Sequence, residues 1–224
     1  QKEALLFGEL PKELVIKENG LSYVVNVREG QKTGFFLDHR CMRGLIQRIS
    51  RGKRVLNCFS YTGGFTVSAL QGGAAHVDSV DASQQALDIA EVNLIKNGFS
   101  KKNNALIKDD VFDFLRTNAL DYDLVILDPP AFAKTKGEVE GALRGYKEIN
   151  REVFKKIPPQ SIVLTASCSY YVDDVLFEKA IYQAALESKR DACIIGRHIQ
   201  AQDHPINLFH RESDYLKSLL LSLP

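Results

Sequence analysis

From residue 54 onward, short apolar runs alternate with segments in which apolar residues recur every three or four positions. The runs are typical of buried strands, and the spaced segments are typical of amphipathic helices. Predicted strands cover residues 54–59, 76–81, 104–110, 121–128, 161–167, 191–199 and 214–223. Predicted helices between them cover residues 65–71, 83–98, 111–118, 137–156 and 173–187. This alternation predicts an α/β fold: a seven-stranded, mostly parallel sheet with helices on both faces.

The first part of the chain has a different pattern. Residues 13–27 place β-branched and aromatic residues on both sides of Asn19-Gly20, a two-residue turn signal that predicts a β-hairpin. Asp38 is predicted to cap a helix that runs to about Ser50. We therefore divide the chain into a small β-hairpin region, residues 1–30, and a larger domain, residues 31–224.

The composition is that of an ordinary globular domain, with 224 residues, 45% hydrophobic and 25% charged. No apolar run approaches the ~20 residues that a membrane helix needs, and the first residues lack a signal-peptide pattern. The four cysteines form no CxxC pair and no zinc-type cluster, so we expect no metal and a reducing, cytoplasmic location. Because the sequence begins with Gln1, we interpret it as a piece of a longer protein.

Positive charge is concentrated in one stretch, although the formal net charge is only +1. Residues 28–54 contain eight Lys and Arg against Glu29 and Asp38. Such a stretch is typical either of a surface that attracts a phosphate backbone or of a solvated helix face.

Polar residues and glycines follow the first four sheet strands, at the sheet edge where ligands of parallel sheets bind. Residues 60–65 form a loop with two glycines, which brings backbone N–H groups close to a ligand. Asp81 is placed to accept hydrogen bonds from ribose hydroxyls, and Asp110 has apolar neighbours that suit an adenine ring. Either acid is equally typical of a helix cap. After the fourth strand, two prolines remove N–H donors from the loop and present Asp128.

Taken in this order, the glycine loop and the three acids resemble the class I S-adenosylmethionine (SAM) dependent methyltransferases over residues 50–222. The resemblance implies a Rossmann-like methyltransferase fold with SAM as the cofactor. The loop from Phe59 to Gly63 would hold the methionine end, Asp81 the ribose and Asp110 the adenine. The residues expected to bind SAM are Lys32, Thr33, Arg40, Phe59, Ser60, Tyr61, Gly63, Asp81, Ala82, Asp110, Val111 and Asp128. For Lys32, Thr33 and Arg40, a surface role or a contact with RNA is the alternative.

Further segments narrow the resemblance. These are QKTGFFLDHR at 31–40, DPPAF at 128–132, GYKEIN at 145–150, TASCS at 165–169, DHP at 203–205 and YLK at 215–217. Together they resemble the bacterial cytosine-5 methyltransferases that modify large-subunit ribosomal RNA. In that family an RNA-binding PUA domain comes first, and this chain lacks it. The expected partner is large-subunit ribosomal RNA, with no membrane, and a homodimer is left open.

Cytosine-5 chemistry needs a cysteine. Carbon 5 is too weak a nucleophile to take a methyl group from a sulfonium unless a thiolate first adds to carbon 6. The resemblance places this nucleophile at Cys168. The alternative is that Cys168 is only a small apolar residue that fills space. The resemblance also makes Asp128 the partner of N3 and the 4-amino group of cytosine. Some relatives carry a further cysteine where this chain has Pro130. The substrate residues are expected to be Pro129, Pro130, Phe132, Tyr146, Lys147 and His204.

The other cysteines are interpreted as structural. Cys58 and Cys193 lie in predicted strands among apolar neighbours, where cysteine acts as a small hydrophobe. Cys41 lies in a predicted helix near the substrate side and is given no role. The base that removes the carbon-5 proton cannot be identified from the sequence.

Four alternative functions stay open at this point. A methyltransferase of exocyclic amines is disfavoured because Ala131, not an aromatic residue, follows the two prolines. The related ribosomal guanine-N7 methyltransferases share the TGFFLDHR and FSYTG segments but lack the SCS cysteine. A non-catalytic RNA-binding or assembly factor is disfavoured by the intact acids and Cys168. An NAD-linked oxidoreductase is disfavoured because the fingerprint GxGxxG is absent.

Overall fold

A computed structural model describes residues 7–9, 11–28 and 30–224. Its strands and helices, in chain order, are β1 Leu14–Glu18, β2 Leu21–Val25, α1 Arg40–Ile49, β3 Arg54–Cys58, α2 Gly64–Gln71, β4 His76–Asp81, α3 Gln84–Lys96, β5 Asn104–Lys108, α4 Val111–Thr117, β6 Leu124–Leu127, α5 Val139–Lys156, β7 Ser161–Ser167, α6 Asp174–Ser188, β8 Cys193–Ile199 and β9 Lys217–Leu223. The predicted strand and helix alternation is confirmed.

The main sheet has seven strands in the order β5-β4-β3-β6-β7-β9-β8. All neighbours are parallel except β9, which is antiparallel to both β7 and β8. Cys58 pairs with Val80 and Leu127 in register, so the residues that follow β3, β4 and β6 leave the sheet at one edge. The register therefore brings the predicted strand-end residues together.

Two hydrophobic cores cover the two faces of this sheet. Side chains of α1, α2 and α3 form one core, and side chains of α4, α5 and α6 form the other. Ser83 caps α3 by accepting a hydrogen bond from the backbone N–H of Ala86. None of the helices in the described part of the chain is long and apolar enough to cross a membrane.

The predicted hairpin forms β1 and β2, with both Asn19 and Gly20 of the turn at positive φ. It packs on α3, where the side-chain oxygen of Asn93 accepts a hydrogen bond of 2.7 Å from the backbone N–H of Val24. Tyr23 of β2 is fully buried in the core that α1 and α2 share. The hairpin and the main sheet are therefore built around common apolar side chains.

Two expectations were wrong. Asp38 does not cap a helix, because it lies inside a short 3-10 segment, Leu37–His39, and its side chain binds Lys32 and Tyr215 instead. Cys193 is exposed rather than buried among apolar neighbours. It lies in β8, an edge strand that has a neighbour on one side only, so apolar residues nearby do not cover it.

Candidate active site

A cleft of about 500 Å³ opens at the sheet edge where β3, β4, β5 and β6 end. The loop between β2 and α1 closes one side of it. The residues expected at the site that line this cleft are Phe59, Ser60, Tyr61, Asp81, Ala82, Asp110, Val111, Asp128, Pro129, Pro130, Phe132 and Cys168.

The loop after β3 has a constrained backbone. Phe59 and Tyr61 lie at φ 58° and 47°, in the left-handed region that non-glycine residues rarely adopt. Gly63, at φ 78°, lies against α3, where a Cβ atom would come 3.0 Å from the Cβ of Ala90. Gly63 thus shapes the loop without lining the cleft. Two strained non-glycine residues together are a hallmark of functional sites.

Two of the predicted acids are held in fixed orientations. Asp81 accepts hydrogen bonds from the backbone N–H groups of Tyr61, at 2.8 Å, and Ser83, at 2.9 Å. Asp110 caps α4 through Oδ1, which accepts from the N–H of Asp113 at 3.1 Å. Asp110 therefore does cap a helix, as the alternative interpretation expected, and it also lines the cleft. Both acids line the same cleft as the loop after β3.

Cys168 and Asp128 both line the cleft. Cys168 follows β7, and its Sγ lies 3.8 Å from the carbonyl oxygen of Pro129, the residue after Asp128. Burial, and secondly the charge of Asp128, raise the pKa of Cys168 to about 11. Burial also raises the pKa of Asp128, against the opposing effect of His39. Without ligand, the thiol is therefore protonated at neutral pH.

Sequence reasoning missed His39, although it lies in the quoted TGFFLDHR segment. The side chain is 2% exposed, and its Nδ1 lies 3.5 Å from Oδ2 of Asp128. Burial lowers the pKa of His39 below that of a free imidazole, although Asp128 and Asp38 oppose this. A histidine in a three-residue 3-10 segment carries no periodic signal, and only the family segment could have marked it.

Tyr146 anchors the cysteine segment rather than lining the cleft. Its side chain is fully buried and lies outside the cleft lining, so its assignment to substrate stays a prediction. Its hydroxyl lies 2.9 Å from both Ser167 Oγ and Ser169 Oγ, the serines on either side of Cys168. Its ring packs on Phe132 with centroids 4.8 Å apart. Tyr146 therefore fixes two parts of the site from behind.

Phe132 belongs to an aromatic wall with Phe59 and Phe112, which lie 6.5 Å and 5.9 Å from it, centroid to centroid. All three rings line the cleft. Room for Phe132 is made by Gly145 of α5, where a Cβ would come 3.1 Å from the phenyl ring. The apolar wall suits the faces of flat heterocycles.

The remaining predicted residues lie outside the cleft lining. Lys32 pairs with Asp38 at 2.7 Å, and Arg40 pairs with Asp203 at 3.4 Å. The other three also have partners. The Thr33 hydroxyl donates a hydrogen bond to the carbonyl oxygen of Phe35, Lys147 pairs with Glu187 of α6, and His204 pairs with Asp203. Their assignments to SAM or substrate stay predictions.

Lys217 holds the loop after Cys168. This lysine is 5% exposed, and its Nζ donates to the carbonyl oxygens of Ser169, at 3.1 Å, and Val172, at 2.6 Å. Burial lowers its pKa, while the nearby acids Asp173, Asp174 and Asp214 oppose this. Lys217 is the second residue that sequence reasoning missed, although the YLK segment contains it.

The basic stretch does not form one surface. Arg43 is buried and bound to Glu18, so it contributes nothing to an external face. Arg28 is exposed in the loop beside the cleft, whereas Arg51 and Arg54 lie where α1 ends and β3 begins, at the opposite edge of the sheet. Of the described basic residues in this stretch, Arg43 lines the cleft from its buried position, and Arg28 lies in the exposed loop beside the cleft.

The fold and the cleft together define a class I methyltransferase, and comparison with known proteins identifies the family. A family model described as S-adenosylmethionine-dependent methyltransferase matches residues 3–187. The chain therefore belongs to the SAM-dependent methyltransferases.

Named relatives and a solved structure are also similar. Proteins named ribosomal RNA large subunit methyltransferase I from Aeromonas salmonicida and Aeromonas hydrophila are each 45% identical, over 225 and 226 residues. Each match covers 99% of this chain and 57% of the relative, so the chain spans a little over half the length of these relatives. A crystal structure of a methyltransferase complexed with SAH is 31% identical with a TM-score of 0.87, and covers 97% of this chain and 58% of that one.

Proposed function

We propose that this chain transfers a methyl group from SAM to carbon 5 of a cytosine in large-subunit ribosomal RNA. The observation that carries the proposal is that Cys168 and Asp128 line the same cleft as Asp81 and Asp110. The names of the relatives support the choice of ribosomal RNA. From the family resemblance, we also propose that an RNA-binding PUA domain precedes this region and that the protein is cytoplasmic. Within the chain, we propose that the boundary between the hairpin region and the methyltransferase domain lies at about residue 30.

The residues of the cleft suit SAM. The buried Oγ of Ser60 has no hydrogen-bond partner among the described residues and is available to a polar ligand. We assign the methionine part to residues 59–63, the ribose to Asp81 and the adenine to Asp110 and Val111. Bound there, SAM supplies a methyl group on a positively charged sulfonium.

The cytosine is proposed to lie between Cys168 and the aromatic wall, against Pro129 and Pro130. The Cys168 thiol gives its proton to water as the sulfur bonds to carbon 6, while Asp128 hydrogen-bonds to N3 or protonates it. Carbon 5 then accepts the methyl group, whose bond to the sulfonium breaks and leaves SAH. Carbon 5 gives its own proton to water, Asp128 takes back any proton that it gave, and the carbon–sulfur bond breaks to restore the ring double bond and release the cysteine. Overall, a carbon-5 proton is exchanged for a methyl group, and the cysteine is recovered.

The raised pKa of Cys168 requires that its proton leave during the attack or under the influence of a nearby positive charge. The raised pKa of Asp128 suits a group that holds a proton for part of the cycle. Burial that disfavours both charges also keeps water away from the adduct.

The test is product identification. The protein is incubated with isotopically labelled SAM and unmodified large-subunit RNA, and the labelled nucleoside is identified by mass spectrometry. We expect 5-methylcytidine, which Cys168→Ala abolishes and Cys41→Ala, a change of an exposed cysteine in α1, leaves intact. Labelled 7-methylguanosine would favour the guanine-N7 alternative, and a labelled adenosine would favour an amino-group enzyme. Tight SAM binding without transfer, in a protein of full length, would favour an assembly factor.

A further inference from the structure

His39 is a buried histidine with an unused nitrogen. It ends the 3-10 segment that leads into α1, and its ring makes edge-on contacts with Phe36 and Phe65, at centroid distances of 6.1 Å and 5.8 Å. Its Nδ1 is buried and has no hydrogen-bond partner among the described residues. Buried polar atoms are rarely left without a hydrogen-bond partner, so we expect Nδ1 to form a hydrogen bond in the working site.

Asp128 is the acid within reach. Its Oδ2 lies 3.5 Å from Nδ1 of His39, just beyond hydrogen-bond distance, and 20% of its side chain stays exposed toward the cleft. The other nearby acid, Asp38, accepts from Lys32 Nζ and Tyr215 Oη through Oδ2, both at 2.7 Å, and its Oδ1 is buried without a partner among the described residues. Of the two acids, Asp128 is the one that lies within ion-pair distance of the imidazole.

We propose that His39 is the positioning residue for Asp128: its Nδ1–H donates to Oδ2 and leaves Oδ1 to the substrate. This link joins two chain segments 89 positions apart, and it fixes the carboxyl group when the 3.5 Å separation shortens to hydrogen-bond distance. The proposal rests on the proposed function only for the identity of the RNA nucleobase that Asp128 contacts.

The surroundings favour a neutral donor rather than an imidazolium. Four charged groups face the ring: Asp128 and Asp38, and the cations Arg43 and Lys32. Arg43 is itself bound to Glu18, and Lys32 to Asp38, so each cation is largely matched. Burial dominates and lowers the pKa of His39, which keeps one ring nitrogen protonated and the other free of a proton at neutral pH.

The first test separates hydrogen bonding from packing. His39→Asn places an amide donor near the position of Nδ1, whereas His39→Phe fills the space between Phe36 and Phe65 without a donor. Methyl transfer is measured as label incorporated into RNA, whatever the nucleoside. We expect His39→Phe to lower kcat by about tenfold to a hundredfold, the effect of one hydrogen bond to a charged group, with KM for SAM within about twofold. His39→Asn should recover most of the loss.

The pH profile gives a readout that packing alone would not move. Because His39 lowers the pKa of Asp128, its loss raises that pKa further, and the limb of the kcat profile that Asp128 sets moves to higher pH in His39→Phe. His198→Asn is the control, since this partly buried histidine of β8 lies outside the cleft lining. An unmoved kcat profile in His39→Phe, or equal damage from His39→Asn and His39→Phe, would overturn the proposal.

The second test needs no substrate and therefore stands apart from the proposed function. The His39 ring is titrated by NMR in the wild type and in Asp128→Asn. Since Asp128 raises the pKa of His39, its neutralisation should lower the midpoint further. An identical midpoint in both proteins would refute the coupling. A labelled nucleoside other than cytidine would refute the proposed function and leave the coupling of His39 and Asp128 standing.

Discussion

The sulfur of Cys168 lies 3.8 Å from the carbonyl oxygen of Pro129, so the residue after β7 contacts the Asp-Pro-Pro segment after β6. Tyr146 holds the two serines beside Cys168, and Lys217 holds the loop that follows. A cysteine that only filled apolar space would not need hydrogen bonds that hold the residues on both sides of it. The arrangement favours a thiol kept in one place for a reaction.

The ionisation of Cys168 should depend on charge in the cleft. In a background with Cys41 and Cys193, the two exposed cysteines, changed to Ser, alkylation of Cys168 should rise with pH toward a midpoint near 11. SAM should lower this midpoint, because its sulfonium favours the thiolate, whereas the uncharged SAH of similar shape should not. A ligand-free midpoint at about 8.5, the value of an exposed cysteine, would contradict the account.

The buried pair of Glu18 and Arg43 should anchor the hairpin to α1. Both side chains are at most 4% exposed, and the two hydrogen bonds between them measure 2.6 Å and 2.7 Å. Glu18→Gln leaves a buried guanidinium without its counter-charge, so we expect a loss of about 3–5 kcal/mol in the free energy of unfolding. The measurement is urea denaturation.

The matched control for this pair is Glu13→Gln. It removes the partly exposed ion pair between Glu13 and Lys96, and should cost no more than about 1 kcal/mol. The double variant Glu18→Leu with Arg43→Met should recover most of the loss, because it leaves no unpaired charge. Equal costs for Glu18→Gln and Glu13→Gln would show that the buried pair does not anchor the hairpin.

Two glycines of α5 should respond differently to alanine. At Gly141, a Cβ would meet only the end of the Arg144 side chain, at 3.8 Å, so Gly141→Ala should stabilise the protein by about 0.5–1 kcal/mol through helix propensity. At Gly145, the Cβ would come 3.1 Å from the Phe132 ring, so Gly145→Ala should gain less or lose stability. Equal gains in thermal or urea denaturation would show that Phe132 is not held as described.

The affinity for RNA should depend on Arg28, the basic residue of the 28–54 stretch in the exposed loop beside the cleft. Arg28 lies between Asn26 and Gly30, which line the cleft, whereas Arg51 lies at the opposite sheet edge. Arg28→Gln should weaken binding and reduce the slope of log affinity against log salt by about 1. Arg51→Gln should change neither. Equal effects of the two variants would place the RNA elsewhere.

The sequence predicted those features that depend on short-range pattern. Asp81, Asp110 and Asp128 each follow an apolar strand, and parallel strands end at one edge, so their meeting could be inferred before the structure. The hairpin turn at Asn19-Gly20 could also be predicted, because its sequence signal lies in two adjacent residues. The domain boundary at residue 30 stays a prediction, although Tyr23 shares its core with the main sheet.

Other features depend on long-range packing, which pattern does not encode. His39 reaches Asp128 only because α1 packs beside the sheet, and Arg43 leaves the predicted basic surface because Glu18, 25 positions earlier, lies opposite it. Tyr146 looked like a substrate residue because its segment matched the family, yet its helix turns it into the core. Cys193 looked buried because its neighbours are apolar, yet β8 is an edge strand.

The central claim is that Cys168 bonds to carbon 6 of cytosine, and the most direct measurement is to trap that bond. RNA that carries 5-fluorocytidine has no carbon-5 proton to lose after methyl transfer, so the cysteine cannot be eliminated. We predict a complex that survives denaturation, with the RNA nucleotide linked to the peptide that contains Cys168. Efficient methylation of ordinary RNA without such a complex, or a link to Cys41, Cys58 or Cys193, would contradict the account.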